Sequence, residues 1–172
     1  MDRKFPIGTF DLKAVFTQQN VPELIEEIKA LPKKIQNELY YAEVDQLNSP
    51  YREGGWTVKQ VVHHIGDSHM NALMRFKLAL TEDNPTIKPY DELAWSKTAD
   101  YVKVPIQDSV DFISIIHKKW GAILDDMTDA DFARTFVHPE GNYPTDLLHT
   151  LAMYVWHGNH HLAHIKLVTN PQ

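Results

Sequence analysis

Four stretches of the chain repeat apolar residues at intervals of three and four, the period at which one face of a helix returns, and polar or breaking residues separate them. The first follows Asn20 and has Pro22 in its opening turn, where a missing N–H leaves no helical bond unmade. Leu24, Ile25, Ile28, Leu31, Ile35 and Leu39 carry it forward through Tyr40, and its end is expected near Asp45. Pro32 falls inside it and predicts a kink or a restart. Thr57 opens the second stretch with Gln60 three residues later, a capping-box pair. Its apolar face (Val58, Val61, Val62, Ile65, Ala72, Leu73, Phe76) runs to about Leu80. The third begins at Pro105, with Val110, Ile113, Ile116, Trp120 and Ile123 inward, and the fourth is capped by Thr145 and runs to about Val168.

The intervening segments read differently. Residues 5–18 are expected as an extended arm over the surface, and residues 48–55 as a loop rich in breakers. Residues 82–104 form an irregular crossover between the second and third helices, with a short turn at Asp91–Ser96. Thr128–Asp131 is a capped single turn, and His138–Asn142 a tight turn of a small hairpin. The expected fold is all-α: a four-helix bundle with one long crossover, a single domain over residues 1–172.

Composition narrows the partners. The net charge is −6 and no Lys/Arg cluster offers a phosphate footprint, so no nucleic-acid partner is expected. No apolar run reaches the roughly 18 residues of a membrane span. The charged N-terminus lacks a following apolar segment, which argues against a secretory signal and for the cytoplasm. The chain has no cysteine, which excludes a disulfide scaffold, a thiolate-ligated zinc and a protein-borne thiol nucleophile. Any metal must therefore be held by nitrogen and oxygen, and any thiol must arrive with a substrate.

The ten histidines carry the chemistry. His157 and His161 are four apart on the fourth helix and point the same way, and His164 lies close beside them, within a sector of roughly 60°. Imidazoles in that register suit a transition metal. His149 and Met153 continue the same side, which places His149 at a pocket mouth, whereas His160 projects further round. A third ligand must come from elsewhere, and the second helix offers His63, His64 and His69. Periodicity puts His64 at the edge of the apolar face and His63 toward solvent, and leaves His69, nearer the apolar centre, in competition. Asp67, three residues after His64, is placed to orient an imidazole, to accept a proton or simply to be solvated. His117 and His138 have no visible partner and read as structural.

Taken in order, these segments resemble a known family. Gly54-Gly-Trp56-Thr-Val-Lys-Gln-Val-Val-His63-His64-Ile-Gly-Asp67-Ser-His69, Arg75-Phe-Lys-Leu-Ala-Leu, Pro89-Tyr90-Asp91-Glu92-Leu-Ala-Trp95 and Tyr154-Val-Trp156-His157-Gly-Asn-His160-His161-Leu-Ala-His164 are similar to the YfiT-like branch of the DinB superfamily, as is the Phe5-Pro6-Ile7-Gly8 arm. The resemblance implies a divalent metal held by His64, His157 and His161, with zinc first and nickel, iron, manganese or cobalt as the other candidates. It also implies a metal-dependent hydrolase designation and a homodimer. Related enzymes use low-molecular-weight thiols as cosubstrates.

Three imidazoles leave open coordination positions, on which either water or a thiol can be activated. The expected function is a metal-dependent enzyme acting on a small molecule, with thiol S-transfer ahead of hydrolysis. A non-catalytic metal-binding bundle is the rival from another class. Asp67, His160 and His164 are candidates to relay protons; His149, Arg75, Tyr90 and Trp95 are candidates to shape the pocket.

Overall fold

Each of the four apolar stripes becomes a long helix in a computed structural model of the chain, which describes residues 2–141 and 144–170. These are α1 (Val21–Leu39), α3 (Val58–Thr81), α6 (Ile106–Asp126) and α8 (Leu147–Thr169). Short turns lie between them: α2 (Val44–Leu47), α4 (Glu92–Trp95), α5 (Ala99–Lys103) and α7 (Asp129–Phe132). Both α1 and α3 pack against α6 and α8, so the order around the bundle is α1, α6, α3, α8. The long crossover between α3 and α6 contains α4, capped by Asp91 Oδ1 on the Ala94 N–H (2.8 Å), and also α5, which the breaker pattern did not show.

The core is divided in two. One apolar cluster gathers Ile28, Phe76, Trp120 and Leu151; the other gathers Leu31, Ile35, Val62, Ile65, Ile113 and Ile165. At or near the change from one cluster to the other along α3, α6 and α8 lie His64 and His69, His117, and His157 and His161. A polar layer of this kind is tolerated in a bundle interior only when its nitrogens find partners.

Capping fixes where the helices start and stop. Thr57 accepts from the Gln60 N–H and the Gln60 side chain returns a bond to the Thr57 N–H, as the sequence indicates. The cap of α8 is Asp146 and not Thr145: Asp146 Oδ1 accepts from the His149 N–H at 2.7 Å. Thr145 is occupied in a hairpin, where β1 (Thr135–Val137) pairs antiparallel with β2 (Pro144–Asp146) and Phe136 stands opposite Thr145. In its tight turn the Gly141 N–H donates to the His138 carbonyl; Asn142 lies outside the described residues.

The first helix ends at Leu39 and not near Asp45, because Tyr40 and Tyr41 are 76% and 86% exposed and extending the helix would bury nothing. The chain turns and restarts at α2, from which the Gln46 amide donates to the Val168 and Thr169 carbonyls and closes the end of α8. Helix α1 runs unbroken through Pro32.

The N-terminal arm is interrupted by two turns, in which the Gly8 N–H donates to the Phe5 carbonyl and the Ala14 N–H to the Asp11 carbonyl. Arg3 ties it down, donating from Nε to the Tyr51 carbonyl (2.7 Å) and from Nη2 to the Leu167 carbonyl (3.3 Å). No helix among the described residues is long and apolar enough to cross a membrane.

Candidate metal centre

Helices α3 and α8 bring the histidines together, and the intimacy of α8 with α1 depends on Gly158, between His157 and His161. A Cβ there would fall 2.4 Å from Leu31 Cδ2, so only glycine lets the two helices approach this closely without displacing Leu31. Among the described residues one group of three His, Cys, Asp or Glu side chains converges: His64, His157 and His161 each offer a nitrogen, all within 4.8 Å of one another. His64 Nε2 and His157 Nε2 are 3.2 Å apart. Two nitrogens bound tetrahedrally to one ion at about 2.05 Å lie about 3.3 Å from each other, so the His64–His157 spacing matches that of two ligands of one divalent ion, with His161 close by.

Burial keeps these rings in the ligating, neutral form. It pushes His64 down to about 4, and burial together with the neighbouring imidazoles holds His157 and His161 well below their ordinary value. Trp56 covers His64 at 4.7 Å between ring centroids, and His64 Nδ1 is buried with no partner. His69, the sequence-level competitor, is fully buried behind the trio, with Nε2 3.2 Å from His157 Nδ1 and Nδ1 2.8 Å from His117 Nε2.

The other candidates take varied places. Asp67 turns away: its carboxylate accepts from the Tyr101 hydroxyl at 2.8 Å, and burial pushes its pKa up. His164 touches the trio, its Nδ1 3.4 Å from His161 Nδ1, while its ring stacks on Tyr51 at 3.8 Å. His160, further round the helix, stays outside the trio. It is buried, stacked on Trp156 at 4.6 Å with Phe5 of the N-terminal arm over it, a covering contact that a helical wheel does not contain.

His63 is not toward solvent. It is 5% exposed and bonded through Nδ1 to Ser109 Oγ (2.6 Å), because α6 packs over that flank of α3 and Tyr101 of the crossover closes it. His117, read as lacking a partner, has two: His69, and the Ile28 carbonyl, to which its Nδ1–H donates at 2.6 Å. Its signal was present in the phase of the third helix, where position 117 follows Ile113 by four and precedes Trp120 by three.

Two clefts reach the trio. One of about 160 Å³ exposes His157 beside Ser68, Arg75, Tyr90 and Tyr154. The other, of about 410 Å³, exposes His161 and His164 beside Phe5, Arg52 and Trp56. Glu92 lines both. Arg75 donates to the Tyr154 hydroxyl at 3.0 Å and also borders a neighbouring cleft that holds His149. Trp95 packs on Tyr90 at 4.4 Å at the edge of a further hollow. The first cleft thus gathers Arg75 and Tyr90 next to His157, and leaves His149 and Trp95 at its periphery.

The chain is similar to known proteins along nearly its whole length. A protein of Oceanobacillus iheyensis named "Putative metal-dependent hydrolase" is 46% identical over 165 residues, 96% of this chain and 95% of its own. One of Geobacillus kaustophilus with the same designation is 47% identical over 163 residues, covering 94% and 91%. The solved structure of YfiT from Bacillus subtilis, described as "a probable metal-dependent hydrolase with an unusual four-helix bundle topology", superposes with a TM-score of 0.92 at 40% identity, covering 96% of this chain and 95% of that one. The profile of the DinB superfamily matches residues 15–165, and with the bundle and its buried histidine cluster in place, the chain belongs to that superfamily.

Proposed function

We propose that the chain is a metal-dependent enzyme in which His64, His157 and His161 hold one divalent ion, zinc first, and that it transfers a low-molecular-weight thiol to an electrophilic small molecule. The observation that carries this reading is the convergence of three neutral imidazoles, two buried and that of His157 half-buried, on one point reached by two clefts. When bound, the ion supplies Lewis acidity, lowering the pKa of a thiol or a water on its open side. An all-imidazole donor set leaves the double positive charge undiminished, which favours an anionic sulfur ligand.

The protein's own groups favour the thiol over water. No carboxylate joins the trio among the described residues, and Asp67 is engaged by Tyr101, so a base for water would have to come from the cleft walls and not from the trio itself. A thiol that has released its proton to solvent needs none: the S–C bond forms as the bond to the leaving group breaks, and the leaving group departs with the electron pair and takes a proton from solvent. The absence of cysteine means that no internal thiol competes for the open side. Hydrolysis is the second reading. It is favoured by the designation of the relatives and by Glu92, which lines both clefts and would serve as the base for water.

The test uses untagged protein purified without added metal. About one divalent ion per chain is expected, lost in His157→Ala, together with turnover of a thiol and an electrophile that falls roughly a thousandfold or more in that variant. Hydrolysis of esters or amides without thiol turnover would move the assignment to the second reading. A folded chain that holds metal and turns over neither would be a binding module, and one that takes up no zinc would not be a metalloenzyme.

A further inference from the structure

The histidines behind the trio form two chains that each end on a backbone carbonyl. The inner one starts at His157 Nδ1, 3.2 Å from His69 Nε2; His69 Nδ1 is 2.8 Å from His117 Nε2, and His117 Nδ1 is 2.6 Å from the Ile28 carbonyl oxygen. It passes in turn from α8 to α3, α6 and α1, the order of the helices around the bundle. The outer one starts at His161 Nδ1, 3.4 Å from His164 Nδ1, and ends where His164 Nε2 lies 3.2 Å from the Lys4 carbonyl oxygen.

A carbonyl only accepts, and a neutral imidazole has one N–H and one lone pair, so the carbonyl decides every proton in its chain. Ile28 O requires the N–H of His117 on Nδ1, which leaves Nε2 to accept. His69 must then donate from Nδ1 and accept on Nε2, and His157 must donate from Nδ1. The lone pair of His157 is thereby placed on Nε2, the atom facing His64 Nε2. By the same steps Lys4 O puts the proton of His164 on Nε2, the proton of His161 on Nδ1, and the lone pair of His161 on Nε2.

The inner carbonyl is free for a reason written in the sequence. Ile28 is four residues before Pro32, and a proline inside a helix has no N–H to give the carbonyl one turn back. Helix α1 nonetheless runs through Pro32 without a break, and the orphaned carbonyl takes the His117 N–H in place of the helical one.

We propose that His69, His117 and His164 are positioning residues which, anchored on the Ile28 and Lys4 carbonyls, fix the tautomers of His157 and His161 so that both present Nε2 lone pairs to the metal. The contacts are met when each ring is neutral, with one N–H and one lone pair, and burial lowers His117 to about 4. A hydrogen bond behind a ligand imidazole fixes its orientation and raises its basicity. His64 differs: its Nδ1 is buried with no partner, so it is the ligand without such support.

The inference rests on the metal-site reading, and the experiment separates the two. Long-range ¹H–¹⁵N correlation spectra of the metal-free full-length chain are expected to show Nδ1–H for His69, His117, His157 and His161 and Nε2–H for His164. An Nε2–H tautomer at His117 or His157 overturns the inner chain whether or not metal binds. Zinc titration then compares His69→Leu with His69→Gln, whose Oε1 accepts from His157 Nδ1. The first should weaken zinc binding roughly 10–100-fold and the second should recover most of that loss. Equal weakening in both, or in neither, overturns the positioning role. A wild-type chain that takes up no zinc overturns the metal reading itself, whatever its tautomers.

Discussion

His157 and His161 leave α8 one turn apart and are backed by chains of different build. Behind His157 stand His69 and His117, 0% and 2% exposed, on two core helices, and the terminal carbonyl belongs to a third. Behind His161 stands His164 alone, at a longer 3.4 Å contact, and its carbonyl belongs to the N-terminal arm, held through Arg3 to Tyr51. The inner chain cannot change without repacking the bundle; the outer one can change with a few residues of arm. The same proton arrangement is thus built once into the core and once onto a detachable segment, so stability and metal affinity should be coupled at His157 and separable at His161.

Acid acts on the whole histidine layer and is expected to have the largest effect. The folded values of His64 and His117 lie at about 4 against an ordinary 6.5. Above pH 6.5 neither state takes up a proton at these sites and nothing is lost. Below it the unfolded chain binds protons that the folded chain refuses, so stability falls between about 6.5 and about 4. At pH 5 the loss is roughly 2 kcal/mol for each of these two histidines, a large part of a typical domain's stability. Urea denaturation of the metal-free chain at pH 7 and pH 5 measures it, and equal midpoints would show that the buried layer accepts protons without unfolding.

Matched substitutions come next and address the contrast directly. His117→Phe keeps a ring on His69, now 4.9 Å away and nearly parallel, but leaves Ile28 O and His69 Nδ1 unpaired in the core. Each orphan costs about 1–3 kcal/mol, and zinc affinity should fall together with stability. His164→Phe also keeps its stacking, on Tyr51, but the Lys4 carbonyl it abandons belongs to an exposed residue of the arm. Its denaturation midpoint should barely move while zinc binding weakens by a smaller factor. If the two variants behave alike in both measurements, the distinction between a core-built and an arm-built chain is lost.

What the sequence showed, and what it hid, follows the same line. The ligand register of His157 and His161, the Thr57–Gln60 cap and the four helices are local features, set by spacings of three and four residues. Misread positions were those decided by distant cover. His63, read toward solvent, is closed by Ser109 and Tyr101, partners 46 and 38 residues away in the chain. The end of α1 falls short of Asp45 because Tyr40, Tyr41 and Val44 are exposed, with no neighbouring element to cover them. Pro32 was legible as a helix breaker, but the helix it would break is held by a histidine on α6, and no periodicity in α1 can announce that.

Pro32 also gives the smallest and most selective way to sharpen the contrast. In Pro32→Ala the new N–H regains the helical bond to Ile28 O, and the residue trades the poorest helix former for the best. Taken alone this makes α1 more stable. A carbonyl oxygen has two lone pairs, however, so the His117 N–H is not expelled but must share its acceptor, and the inner chain is weakened without being cut. Thermal stability is therefore expected to hold or rise while zinc affinity drops a few-fold, the opposite directions distinguishing this variant from His117→Phe, in which both fall. Denaturation midpoint and zinc titration on the same preparation decide it. A gain in stability with unchanged affinity would mean that one lone pair suffices for His117, and that the proline is there for its packing against the core and not for the carbonyl it frees.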